Sequence, residues 1–509
     1  MTRLAACFLA LMPGLAMAQD SAPMSAIDWL SDSLATPPQI GPEEPPVEGG
    51  ARVAEVTVTP LGAEQEPRPD AIGLLAPHMT GLPADLWGAS EADVIARLIR
   101  EEQTAMLPAA QALLLKILLA ETDPPDSDDT DGDTVFLARI DKLLQMGALD
   151  QAHALLTRAG TATADVTRRW FDTALLIGAE NEVCTAMDEV PDLTPTYPAR
   201  IFCLARSGDW DGAVLLMGTA RALGLITEEE DARLSRFLDP DLFEGEDALP
   251  VPRRVTPLTF RLFEAFGDSI PTTTLPLAFA QADLRSNIGW KAQVEAAERL
   301  ARTGAVSDNQ LLGLYTQQKA AASGGIWERV RAVQALEAAL DDPDALATLL
   351  PDLWETLSEA ETEVPIARIH GPTLAAHDLP GQAGEIALRM GLLSEDYETV
   401  AQQAEPETDI DRFLVAVAKG DVSGVTPPGD DARAVADGFS GMAPPEELSA
   451  LVEDGKLGEA LLRALNRLDD GAQGDLDDLA GALALLRAVG LEGTARRVAL
   501  EYLILERRG

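Results

Sequence analysis

The feature that most restricts this chain is a turn that returns at a nearly constant interval. Gly147-Ala148-Leu149-Asp150-Gln151-Ala152, Gly178-Ala179-Glu180-Asn181-Glu182-Val183 and Gly208-Asp209-Trp210-Asp211-Gly212-Ala213 share one layout. A glycine comes first, an Asp or Asn three residues later, and a small or branched apolar residue two beyond that. Glycine stops one helix, the Asp or Asn is placed to cap the next, and the small residue lets the new helix come close to its neighbour. The glycines lie 31 and 30 residues apart, which is the length of one helical hairpin. Weaker copies follow at Gly289 (Val294), Gly325 (Val330), Gly455 (Ala460) and Gly490 (Ala495). A lone hairpin cannot bury its apolar side, so the repetition predicts an all-α fold. Its form is a superhelical array of antiparallel helix hairpins, an α-solenoid, in which each unit covers the next.

Helical periodicity begins near residue 83 and runs to the end, with amphipathic stretches at 91–100, 106–121, 135–146 and 149–158. Pro and acidic residues interrupt it at 238–256, Thr256-Pro257 restarts it, and a helix is expected over 275–285. A softer break covers 406–431. The expected organisation is a signal peptide (1–18), a Pro-rich tail (19–50), a small extended segment (51–82), a helical lobe (83–237), the break, a second lobe (257–405) and a C-terminal helical segment (406–509).

The stretches LLQMGALDQAHALL (143–156) and LARSGDWDGAVLLM (204–217) resemble the turn between helices A and B of a tetratricopeptide repeat. The resemblance covers roughly residues 135–225. It implies a solenoid whose concave surface takes peptides or protein partners, with no cofactor. The period of 30–31 or 35–36 departs from the 34 of that family, and its aromatic and Pro signature positions are mostly missing here.

Composition narrows the partners. The chain has 509 residues with 84 acids against 39 Lys and Arg, a formal charge of −45. Nucleic acids and anionic membrane surfaces need a basic footprint, so both are excluded as expected partners. Residues 1–18 carry one charge (Arg3), an apolar run and Ala16-Met17-Ala18, the pattern of a secretory signal cut before Gln19. No stretch is apolar enough to span a membrane; residues 111–120 are short and contain Lys116. The protein is therefore expected in the periplasm, with an envelope protein or peptide, basic in character, as its partner.

The tail holds a short amphipathic helix at 25–34, with Ile27, Trp29, Leu30 and Leu34 as its apolar and aromatic side chains. An acidic Pro-rich tether at 36–50 reaches roughly 45 Å when extended. That helix either docks on a partner or packs back onto its own body. Residues 53–58 (VAEVTV) alternate as a single strand would. Export also leaves Cys184 and Cys203 as an even pair in an oxidising compartment. Their midpoint lies beside the Pro-rich turn at 191–198, which suits a disulfide, and two buried free thiols are the alternative.

Chemistry is thinly marked. HExxH and GxSxG are absent, and the four histidines (His78, His153, His370, His377) show no ligand spacing. Asp129, Asp131 and Asp133 fall at positions 3, 5 and 7 of a calcium-loop register with Gly132 at position 6. Ser127 and Ala138 stand where that loop needs acids. Trp210, Trp290 and Trp327 follow their turn glycines closely, where they either plug the seam between hairpins or line a binding face. The expectation is a non-enzymatic binding scaffold. The alternatives are an all-helical glycan-cleaving cell-wall enzyme using carboxylates, and an acidic cation-binding protein.

Overall fold

A computed structural model describes residues 27, 29–30, 68–126, 132–160, 163–190, 194–320 and 324–505. The described residues form α-helices joined by short turns and a few 3-10 segments, with one isolated bridge between Leu75 and Ala120 as the only β pairing among them. The all-α expectation holds. The strand expected at 53–58 lies outside the described residues, as do the signal segment, Leu34, Asp129 and Asp131.

The recurring turn works through its glycine and its small residue. Gly147, Gly178 and Gly208 take φ of 75°, 82° and 90°, the left-handed region in which a Cβ is strained. Each reverses the chain so that the next amide bonds back across the helix end. Ala148 N–H donates to Leu143 O (2.8 Å), Ala179 to Ala174 O (2.8 Å) and Asp209 to Leu204 O (2.9 Å). These bonds close the helix with the C-terminal motif that glycine favours. All seven residues five places after a turn glycine are fully buried: Ala152, Val183, Ala213, Val294, Val330, Ala460 and Ala495.

The capping role read into the turn is corrected. The new helices start at Leu149, Glu180 and Trp210, so Asp150, Asn181 and Asp211 sit inside the first turn. There Asp150 and Asp211 favour the positive end of the helix dipole without capping it. A left-handed glycine leaves only a residue or two before helical geometry resumes. Only the third turn has a side-chain cap, from Asp209, which accepts from Gly212 N–H. Gly289 and Gly325 prove to be N-cap residues of their helices.

Two further boundaries change. Residues 275–285 form one 3-10 turn, Leu277–Phe279, and one short helix, Ala280–Asp283, because Pro276 interrupts the start. The softer break encloses a full helix, Asp409–Lys419, capped by Thr408. Between the helices Glu228–Leu238 and Pro257–Ala265 the chain forms only the 3-10 turn Pro240–Phe243.

The segments then pack on one another. Gln281 Nε2 donates to Gly147 O (2.7 Å) and Thr303 Oγ1 to Met146 O (2.6 Å), seating the middle of the chain against the 134–159 hairpin. The last helix, Glu492–Leu505, packs on Pro108–Leu119, and Leu457–Ala472 packs on Ala92–Glu101. Glu501 accepts from Ala109 N–H (2.7 Å) and Gly458 N–H donates to Leu86 O (2.7 Å). The two ends of the array therefore meet.

The N-terminal residues Ile27, Trp29 and Leu30 are buried in this body. Trp29 meets Phe279 edge-on at 5.5 Å, and Arg254 donates to Leu30 O. These three residues pack against their own protein.

Close helix approach gives a test. A Cβ on Gly371 would collide with the carbonyl oxygen of Met390, across the contact between helices Glu363–Ala375 and Gly381–Leu392. Gly371→Ala is expected to destabilise by about 1–3 kcal/mol, as overpacking does. Gly313 sits in helix Asp308–Thr316 with open space around it, so Gly313→Ala is expected to stabilise by about 0.5–1 kcal/mol. Chemical denaturation of both variants checks the opposite signs.

Candidate partner-binding surface

Four helices between 180 and 238 form an arm. They are Glu180–Glu189, Tyr197–Ser207, Trp210–Ala222 and Glu228–Leu238. Cys184 and Cys203 are joined in a disulfide with Cα atoms 5.2 Å apart, which pins the first two helices together. Aromatic rings run outward from the body: Phe171 meets Phe202 at 6.3 Å, Phe202 stacks on Phe237 at 5.4 Å, and Trp210 lies 6.3 Å from Phe237. The fourth helix starts from a capping box in which Thr227 and Glu230 satisfy each other's backbone amides. It then packs on Pro257–Ala265, returning the chain to the body.

The Trp210–Ala222 helix turns Ala213, Met217 and Ala220 inward, and they are buried. Its other side is apolar as well. Leu215 is 73% exposed, Val214 57% and Trp210 48%, and just past the helix Leu223 is 67% exposed. Single exposed apolar residues are ordinary, whereas a contiguous group marks an interaction site. Of the ten large apolar residues exposed among those described, six lie between 190 and 225, so the arm holds most of this surface.

Acids surround it. Residues 209–251 contain eleven Asp and Glu against three arginines, a formal charge of −8. Each arginine is already engaged: Arg221 with Asp231, Arg233 with Glu229 and Arg236 with Glu246. A cleft of about 790 Å³ opens between the start of the 228–238 helix and the chain at 249–262, with Glu228, Glu230, Val251 and Arg253 on its walls.

The other tryptophans behave differently. Trp290 and Trp327 pack against each other at 4.9 Å, both partly buried against the core, and Trp290 donates to Leu314 O. They plug a seam, while Trp210 lines the open face. Among the possible ligands, Asp133 is buried and accepts from Thr163 Oγ1 (3.1 Å). No group of three or more His, Cys, Asp or Glu able to hold a metal occurs among the described residues. His370 pairs with Glu337 at 2.7 Å and His377 with Leu340 O at 2.9 Å, so the two histidines have separate partners. Burial depresses the His370 imidazole, and the Glu337 carboxylate opposes that shift.

One buried pair of ionisable residues, Glu102 and Lys142, gave no sequence signal. Glu102, just past the 92–101 helix, is 3% exposed, and burial pushes its carboxyl up to about 8 against the opposing pull of Lys142. Asn466 donates to its Oε1 (3.2 Å), and Oε2 has no hydrogen-bond partner. The Lys142 ammonium meets three acceptors, Arg100 O, Glu102 O and Gln145 Oε1. Those are its full complement of donors, which favours a charged lysine in place.

Two outcomes follow. Serine at both Cys184 and Cys203 removes a 19-residue loop constraint, and the arm is expected to lose about 3 kcal/mol; thermal unfolding with and without reductant reads it. For Glu102 the folded state holds a proton that the unfolded chain gives up near 4.5. Its contribution is therefore favourable at low pH and is lost as pH rises towards about 8. Glu102→Gln is expected to flatten the decline in stability between pH 5 and 8 relative to wild type, measured by denaturation at each pH. No protein family, curated protein or solved structure matches this chain.

Proposed function

We propose that this protein is an exported, non-enzymatic scaffold of the cell envelope, a divergent tetratricopeptide-like array in the periplasm that binds a protein or peptide partner. The observation that carries this reading is the uncovered apolar face of the Trp210–Ala222 helix, held on a disulfide-braced arm. Apolar area of this kind costs solubility unless something covers it. The presenting helix packs on the disulfide-braced Tyr197–Ser207 helix, and an ordered support lowers the entropy lost when a partner binds.

The position of the most displaced carboxyl favours this over a glycan-cleaving enzyme. A catalytic acid has to reach substrate, and Glu102 is only 3% exposed, enclosed between the 92–101, 134–145 and 457–472 helices.

Photo-crosslinking tests the assignment. A photoreactive residue at position 215, introduced in the native host, is expected to give one discrete covalent adduct. The same group at Met79 and Met442, which are also exposed but lie away from the arm, is expected to give none. No adduct at 215, or equal labelling at all three positions, overturns the proposal.

A further inference from the structure

We infer that the outer face of the Trp210–Ala222 helix docks a cationic amphipathic helix of a partner protein. The partner's apolar row lies along Trp210, Val214 and Leu215, and its lysines and arginines reach the surrounding acids. This inference rests on the scaffold reading and deepens it.

The face has the dimensions of a helix-in-groove contact. Thirteen residues at 1.5 Å each make a strip of about 20 Å, three to four turns of a partner helix. Trp210, Val214 and Gly218 follow one another at four-residue spacing and so form a line. Gly218 has no atom within 4 Å of where a Cβ would stand. It makes an open notch beyond Val214, into which a partner side chain can drop.

Charge selects the occupant. With Arg221, Arg233 and Arg236 already engaged, eight of the eleven acids between 209 and 251 have no arginine of that segment. Asp209 and Asp211 are exposed at the start of the strip, and Asp239, Asp241, Glu244 and Asp247, none of their carboxylates paired with those arginines, are exposed on the chain that leaves the arm. A second copy of this chain would bring the same −8 against itself, and an anionic lipid surface or a nucleic acid meets the same repulsion. A partner with Lys and Arg flanking an apolar row gains on both counts.

The test uses the whole exported chain and a fluorescent 18-residue helical peptide with leucines on one face and lysines on the other. It is expected to bind, more weakly as salt rises. Leu215→Asp is expected to reduce affinity more than tenfold although it adds an attractive charge, so that loss reports the apolar face alone. Asp211→Lys is expected to weaken binding several-fold and to reduce its salt dependence. Met79→Asp is the surface control and is expected to change nothing. Unchanged thermal unfolding of each variant shows that the fold is intact. Equal binding of the lysine peptide to Leu215→Asp overturns the inference. So does equal binding of a peptide with glutamates in place of lysines, or preferential binding of phosphatidylglycerol vesicles. If position 215 crosslinks a protein in cells while the lysine peptide fails to bind, the cationic helix is wrong and the scaffold reading stands. If both fail, both are wrong.

Discussion

The contact on which the rest depends is the one that joins the end of the chain to its beginning. The first amides of the Pro108–Leu119 helix have no partner within their own helix. Pro108 removes one of these donors, and the buried Glu501 carboxylate accepts from the next, on Ala109, at 2.7 Å. This places a negative charge at the positive end of a helix dipole, away from solvent, where it is worth most. Beside it, Ser90 donates to Glu459 and Asn466 to Glu102, so three contacts close the same seam. An open array exposes an apolar face at each end and needs a capping repeat to cover it. Here each end covers the other.

Closure explains why buried charge is tolerated at the start of the chain. Arg139 is fully buried, and its guanidinium donates to Leu118 O, Ala120 O and Ile72 O, carbonyls that the helix end and its neighbouring segment leave unpaired. Burial pulls its pKa down to about 10, while the Asp70 carboxylate opposes that shift. It therefore stays charged across the physiological range and clamps residues 68–75 to the 108–119 and 134–145 helices. The arm at 180–238 is the excursion from this closed body. Its roots are Ala164–Ile177 and Pro257–Ala265, which pack together, so its outer helix projects from a fixed base.

Local features of this fold were legible and long-range ones were not. The glycine turns and the small residues after them could be read, because both follow from the geometry of a single helix end. The cysteines could be paired as a candidate disulfide because they lie about equally far from one turn. The caps were misplaced because an Asp in the first turn and an Asp at the N-cap look alike in a sequence. The seam between Ala109 and Glu501 spans 392 residues, and no periodicity reports which distant faces meet. The arm's surface was hidden for another reason. The 210–222 stretch is apolar on both sides, and such a helix reads as core until its neighbours are known. Trp29 posed the same question, and Phe279 with Arg254 answers it.

The acidity of the chain takes on a local meaning at the arm. A large uncovered apolar face invites self-association, since two copies could bury Leu215, Val214 and Leu223 against each other. The eleven acids between 209 and 251 oppose that pairing with like charge on both copies. A cationic partner turns the same charges from repulsion to attraction, so one set of side chains both keeps the face open and chooses what closes it. The arginines support this division. Arg221 is spent on Asp231 across the base of the arm's outer two helices, where it fixes their packing without neutralising the rim. Replacing that surplus with neutral residues would leave an apolar face equally able to bind a partner and a copy of itself, and discrimination between them would be lost.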